Sequence, residues 1–228
     1  MKQVWHDLLF AHWPVNPESL RLLIPPPLEL QTLHSQAWIG IVPFRMSGIR
    51  LRGTPAVPGL SAFPELNVRT YVTFQGKPGV WFFSLDAASR AAVITARAWF
   101  HLPYFLAKMK LVSMESYLLY TSDRVASGSP GIQLQTAYRP TRESYIAQPG
   151  SLEHWLTERY CLYAADSSGR IYRGEIHHAP WQLQHAEASF QMNTMTARLG
   201  IALPAIPPLL HFARFQDVRA WAPRLLET

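Results

Sequence analysis

Phe63 to Lys110 reads FPELNVRTYVTFQGKPGVWFFSLDAASRAAVITARAWFHLPYFLAKMK, and the remaining segments arrange themselves around it. Glu65 to Phe74 alternates. Leu66, Val68, Thr70, Val72 and Phe74 fall on one face of a strand, and Glu65, Asn67, Arg69, Tyr71 and Thr73 on the other, because successive strand side chains point to opposite sides. An acid, an amide, an arginine and a phenol in consecutive same-face positions suit the wall of a polar cavity. Periodicity alone equally allows an ordinary solvated face. Gln75-Gly76-Lys77-Pro78-Gly79 is a turn signal and Val80 to Leu85 a second strand, which together predict an antiparallel hairpin. Asp86 to His101 carries Ala92, Ala96 and Trp99 at helical spacing. A helix is expected from near Ala87 or Ala88 until before Pro103.

Upstream, Asn16-Pro17-Glu18 is a helix start, with a capping side chain, a proline suited to the first helical position and an acid for the dipole. Pro25-Pro26-Pro27 stops that helix. Ala37 to Phe44 reads as a buried strand in which Pro43 calls for an edge or a bulge. Gly48 to Ser61 reads as a loop long enough to form a lid or rim. Downstream, strands are expected at Ser113 to Asp123 and Ile132 to Arg139, and a short helix from Ser151 through Trp155. Arg159 to Ala164 and Arg170 to His177 form a further hairpin around Asp166-Ser167-Ser168-Gly169. From Leu199 the chain reads as a proline-containing tail rich in Leu, Phe and Trp. No repeat or linker divides residues 1–228, so a single β-dominated α+β domain with a few short helices is expected, built as a barrel or paired sheets.

Composition narrows the classes. Hydrophobic residues at 48% against 16% charged belong to a globular chain with a sizeable core, not a disordered one. The net charge of +6 favours anionic ligands, but the basic residues stand singly, so no nucleic-acid partner is expected. No apolar run reaches the roughly 18–20 residues of a membrane span, so no membrane partner is expected either. The N-terminus, MKQVWHDLLFAHWPVNP, interrupts its apolar stretch with charge and histidine and makes a poor signal peptide; a cytoplasmic protein is the simplest reading. The lone Cys161 excludes an intramolecular disulfide and reads as a buried, inert thiol. His177 and His178 are adjacent and point oppositely on a strand, one expected beneath Trp181 and the other at the surface. With no His-Glu-x-x-His pattern, phosphate loop or dinucleotide fingerprint, neither a metal nor a cofactor is expected. A homo-oligomer is compatible with the sequence.

The stretches LLFAHWPV (Leu8–Val15), AWIGIVPF (Ala37–Phe44), FPELNVRTYV (Phe63–Val72), LPYFLAKM (Leu102–Met109), LTERYCLY (Leu156–Tyr163) and IHHAPWQL (Ile176–Leu183), in this order, resemble the YqjF-like family of bacterial domains of unknown function. That family is similar in turn to the acetoacetate decarboxylase-like superfamily. The resemblance implies a large, curved antiparallel β-barrel whose interior is a small-molecule cavity. Acetoacetate decarboxylase forms a Schiff base through an activated lysine, one of two that follow a Gly-aromatic-Pro segment. Here the matching place is His101-Leu102-Pro103 followed by Tyr104 and Phe105, neither of which can form an imine. Lys108 lies further on and is the lysine to consider for the same cavity.

The candidate site residues are therefore Glu65, Asn67, Arg69, Tyr71, Tyr104, Lys108 and Glu158. Glu65 offers an acid or base, Asn67 a neutral polar group, and Arg69 a fork for a carboxylate. Tyr104 stands where the lysine would stand, and Arg97 is an alternative structural partner for Glu65. Either Glu158 with Tyr160 faces the cavity or Arg159 with Cys161 and Tyr163 does. The ligand expected is a small anionic or carbonyl-bearing metabolite. Three readings stay open: an enzyme without a Schiff base, a non-catalytic binding or sensing protein, and a structural domain with a filled barrel.

Overall fold

The computed structural model describes residues 1–50, 53–55, 61–125 and 131–227. In chain order the elements are β1 (Lys2–Val15), α1 (Pro17–Arg21), β2 (Glu29–Leu30), β3 (Ala37–Arg50), β4 (Phe63–Phe74), β5 (Lys77–Ala87), α2 (Arg90–Phe100), β6 (Tyr104–Ser113), β7 (Leu118–Arg124) and β8 (Gln133–Pro140). They continue with α3 (Leu152–Thr157), β9 (Cys161–Ala165), β10 (Ile171–His177), β11 (Leu183–Asn193), β12 (Leu209–Ala220) and β13 (Arg224–Leu225).

Strand pairing explains how one sheet encloses two interiors. β5 pairs with β4 along its length, with β9 at Val80–Trp81 and with β6 at Leu85–Ala87, so it forks. One circuit runs β5–β6–β7–β8–β11–β12–β1–β3–β4 and returns to β5. The other runs β5–β9–β10–β12–β1–β3–β4 and also returns to β5. The two rings share β12, β1, β3, β4 and β5. Pairing is antiparallel throughout except at the fork, where β6 and β9 lie parallel to β5. A parallel neighbour needs a crossover, and α2 supplies it between β5 and β6.

The shared strands present one face to each ring. Leu9, Ala11, Ile39, Ile41, Leu66, Val68 and Phe212 of the shared strands belong to the core of the larger ring, closed from the far side by Tyr120, Leu134 and Tyr138. Leu8, Phe10, Val42 and Phe44 face the smaller ring with Trp181 and Leu85. Two bulges keep this division consistent. In β1, Asp7 takes a left-handed φ of 55°, and four residues of β1 stand against three of β3 between the His6↔Arg45 and Ala11↔Ile41 pairs. Pro43, which has no N–H to give, falls in that interruption, the bulge its position called for. In β5 the pairing steps from Val68↔Ser84 to Arg69↔Phe82, with Phe83 as the extra residue. Val80 and Phe82 before this step and Leu85 after it therefore all line the smaller ring.

Several boundaries differ from the sequence expectation. The hairpin turn contracts to Gln75-Gly76, both at positive φ as a two-residue type I′ turn requires, and Lys77 to Gly79 join β5. Gly79 is needed there, since a Cβ would lie 2.7 Å from Cys161 Sγ. α2 starts at Arg90 under a Ser89 cap, because Asp86 and Ala87 still belong to β5. Ser113 ends β6 rather than opening a strand, and β7 begins at Leu118. The loop expected from Gly48 starts later, since β3 runs through Arg50, and most of it lies outside the described residues. The expected tail contains β12, a strand common to both rings.

Candidate functional site

The smaller ring holds a cavity of about 180 Å³. Its wall is mostly apolar, with Phe10, Phe44, Val80, Phe82, Leu162 and Trp181 among its residues. Such a volume holds several waters or a small organic molecule. α2 closes one side through Ala92 and Ala96, whose small side chains let the helix approach the ring. Arg97 fastens the end of that helix by donating from Nε to Tyr104 O at 2.6 Å, while its guanidinium lies over Phe105. Arg97 is thus spent on backbone and ring, not on Glu65.

β4 carries the polar face inward. Glu65, Asn67 and Arg69 line the cavity, while Leu66 and Val68 pack into the larger ring. Glu65 is buried, and burial, opposed by a hydrogen bond from Tyr104, pushes its carboxyl up to about 8. Tyr104 OH lies 2.8 Å from Glu65 Oε2. Burial and the neighbouring Glu65 in turn push the phenol of Tyr104 well above its usual range. The backbone beneath is held from the other ring, where Tyr120 OH donates to Glu65 O at 2.6 Å. Glu65 is therefore a neutral acid at neutral pH, with a hydroxyl beside it.

At the other end of the polar row stand two guanidiniums. Arg69 is 9% exposed and donates from Nη2 to Leu156 O at 3.4 Å, a long bond. Arg159, which follows α3, is 5% exposed and also lines the cavity. It donates from Nε to Trp155 O at 2.7 Å and from Nη1 to Gln31 Oε1 at 2.6 Å. Burial lowers Arg159 to about 10, still charged at neutral pH. Arg69 Cζ sits 5.8 Å and Arg159 Cζ 4.9 Å from the ring centroid of Tyr71, whose hydroxyl meets His12 Nε2 at 2.6 Å. Aromatic faces support a guanidinium but do not neutralise it. Among the described residues no carboxylate lies within ion-pair distance of either arginine. Arg69 Nε, Arg159 Nη2 and Asn67 Oδ1 are all buried without a hydrogen-bond partner.

The structure thus brings Glu65, Asn67, Arg69 and Tyr104 onto one wall. Tyr71 is fully buried behind the guanidiniums rather than lining the cavity. Lys108 is exposed on β6 and lines a separate surface depression with Asp123. Alternation along β6 dictates this, with Ala107 and Met109 turned toward the protein. None of the four lysines of the sequence lines the cavity. Glu158 does not line it either. Its carboxylate accepts from Trp181 N at 2.9 Å and from Tyr160 OH at 2.5 Å, and neither alternative holds whole: Arg159 lines the cavity, but Cys161 and Tyr163 pack in a separate core and Leu162 takes the inward place on β9. His178 is buried against Trp181, with ring centroids 5.0 Å apart, and His177 is exposed. Cys161 is buried, and burial pushes its thiol up. Among the described residues, no three His, Cys, Asp or Glu side chains form a metal-binding group.

These features define an acetoacetate decarboxylase-like fold. An acetoacetate decarboxylase from Legionella pneumophila superposes over 99% of this chain and 87% of its own at a TM-score of 0.65, with 16% identity. The enduracididine biosynthesis enzyme MppR, complexed with pyruvate, matches at 0.68 over 99% and 90% of the two chains, with 12% identity. The sequence itself is more specific. Residues 2–217 match the DUF2071 family, described as an uncharacterized conserved protein, and this chain belongs to it. The uncharacterized protein YqjF of Bacillus subtilis strain 168 is 50% identical over 221 residues, covering 97% of this chain and 90% of that protein.

Proposed function

We propose that the smaller ring binds a small organic anion, with Arg69 and Arg159 taking the carboxylate and Glu65 with Tyr104 addressing the other end. One observation carries this reading: two buried arginines share a cavity wall with no carboxylate within ion-pair distance of either among the described residues, and each keeps an unpaired N–H. A buried cation without a partner costs several kcal/mol, so a fold that keeps two has a use for an anion between them. The pyruvate held by MppR on a similar fold agrees in class, though at 12% identity it supports the fold rather than the site.

The chemistry at the other end favours turnover over storage. A carboxyl pushed up to about 8 is poised to give or take a proton near neutral pH. No lysine on the wall offers an amine, so the reaction favoured is proton transfer to or from a bound acid rather than imine chemistry. Titration calorimetry with butyrate and butyramide tests the anion reading. Butyrate is expected to bind and butyramide to bind at least about tenfold more weakly, since only the acid meets both guanidiniums. Equal binding of the two, or no binding of any short carboxylate, would overturn it.

A further inference from the structure

We infer that the acid bound in this cavity is an arylalkanoic acid, its carboxylate on Arg69 and Arg159 and its aromatic ring along Phe10, Trp181, Trp5 and Phe44. The inference rests on the organic-anion reading above and adds a body to the charged head. The four rings all line the cavity and form an unbroken track. It begins at the cation, with Arg69 Cζ 5.4 Å from the Phe10 centroid. Phe10 meets Trp181 edge to face at 5.0 Å, Trp181 stacks on Trp5 at 6.0 Å, and Trp5 lies 5.5 Å from Phe44. The track ends at the acid, because Phe44 is the strand partner of Glu65. Glu65 and Arg69, four residues apart on one face of β4, have Cα atoms about 13 Å apart. A short acid held at the guanidiniums does not cover that interval and leaves the rings beyond it without contacts. A flat ring covers them in the offset and edge-on arrangements that aromatic pairs favour beyond their buried area. Size agrees, since the cavity of about 180 Å³ exceeds an apolar one of about 150 Å³ that takes up benzene. A second charge on the ligand has no partner: of the two acids on the wall, Glu65 is held neutral by burial and Glu175 is paired with Lys77 and Arg173.

Calorimetry on the wild-type protein compares phenylacetate with butyrate, cyclohexylacetate and phenylacetamide. Phenylacetate is expected to bind about thirtyfold tighter than butyrate, since each further buried carbon is worth about a factor of four. It is also expected to bind tighter than cyclohexylacetate, whose puckered ring loses the aromatic contacts, and tighter than phenylacetamide, which lacks the charge. In Trp5→Leu the ratio of phenylacetate to butyrate affinity is expected to fall about fivefold, the loss of an aromatic pair. An unchanged ratio in the folded variant overturns the track. If the variant does not fold, the wild-type ratios decide alone. Phenylacetate that binds no tighter than butyrate, or no tighter than cyclohexylacetate, overturns the inference and leaves the anion reading intact. Phenylacetamide that binds as tightly as phenylacetate, or failure of every acid, removes the anion reading itself, and the inference with it.

Discussion

Leu66 and Asn67 are consecutive on β4 and belong to different interiors. Leu66 joins Leu9, Ile39, Ile41 and Phe212 in a ring packed with hydrocarbon, where Tyr120 OH donates to Glu65 O and Phe44 O and Tyr138 OH to Asp7 O. Asn67 looks into a ring whose wall keeps unpaired polar atoms and an open volume of about 180 Å³. The same strands build both, so backbone stability is supplied by the filled side while the hollow side is free to carry groups that a core would not tolerate. Interiors pack densely because each missing contact is lost energy.

The division is broken most severely at the polar junction of the filled side. Asp86 and Arg124 form a buried ion pair, with Oδ1 2.7 Å from Nη2 and 2.9 Å from Nε. Arg124→Met strands the carboxylate and is expected to cost about 3–5 kcal/mol in urea unfolding. Leu66→Ala, which opens a void in the filled ring, is expected to cost about 3 kcal/mol by the same measurement. Arg159→Met should cost less, about 1–3 kcal/mol, because it releases the bonds to Trp155 O and Gln31 Oε1. Asn67→Leu is expected to stay within about 1 kcal/mol of wild type, since it removes a buried oxygen that has no partner.

Glu65 adds a pH dependence that belongs to the hollow side. Its folded carboxyl titrates at about 8 against an ordinary 4.5, so between those values the folded state holds a proton that the unfolded chain has released. The stability linked to this group is full below about 4.5 and is lost as pH rises through about 8. Glu65→Gln should flatten that fall. A residual slope of the same sign is expected from Asp86, which burial also raises. Unfolding of the two proteins at several pH values checks it, and parallel curves would mean that Glu65 titrates normally.

The sequence made the hollow face of β4 legible because that strand has no bulge between Glu65 and Arg69, so simple alternation holds. It failed where parity is reset. β1 changes its inward face at Asp7, with Trp5 before it and Leu8 and Phe10 after it all facing the smaller ring, and no period-two pattern survives that step. β12 was hidden in a segment that reads as a tail because its partners are far away in the chain, β1 among them. Lys108 follows the alternation of β6, which puts Lys108 outside and Met109 against the core. Arg159 against Glu158 could not be decided, as an arginine next to Trp155 and Tyr160 signals a stacked guanidinium but not its direction. Which atoms lack partners is a tertiary fact, and it is the one on which the site depends.

Arg69→Met is the most direct probe, because the only hydrogen bond Arg69 makes among the described residues is the 3.4 Å contact to Leu156 O. Thermal unfolding would be followed for wild type and variant, each with and without a saturating short carboxylate that binds the wild type. A cation kept for a ligand gives a definite pattern: the ligand-free variant melts at or above the wild-type temperature, and the acid-induced rise disappears. A variant that melts several degrees lower without ligand, yet still gains the full wild-type rise from the acid, would make Arg69 a structural residue and contradict the anion site.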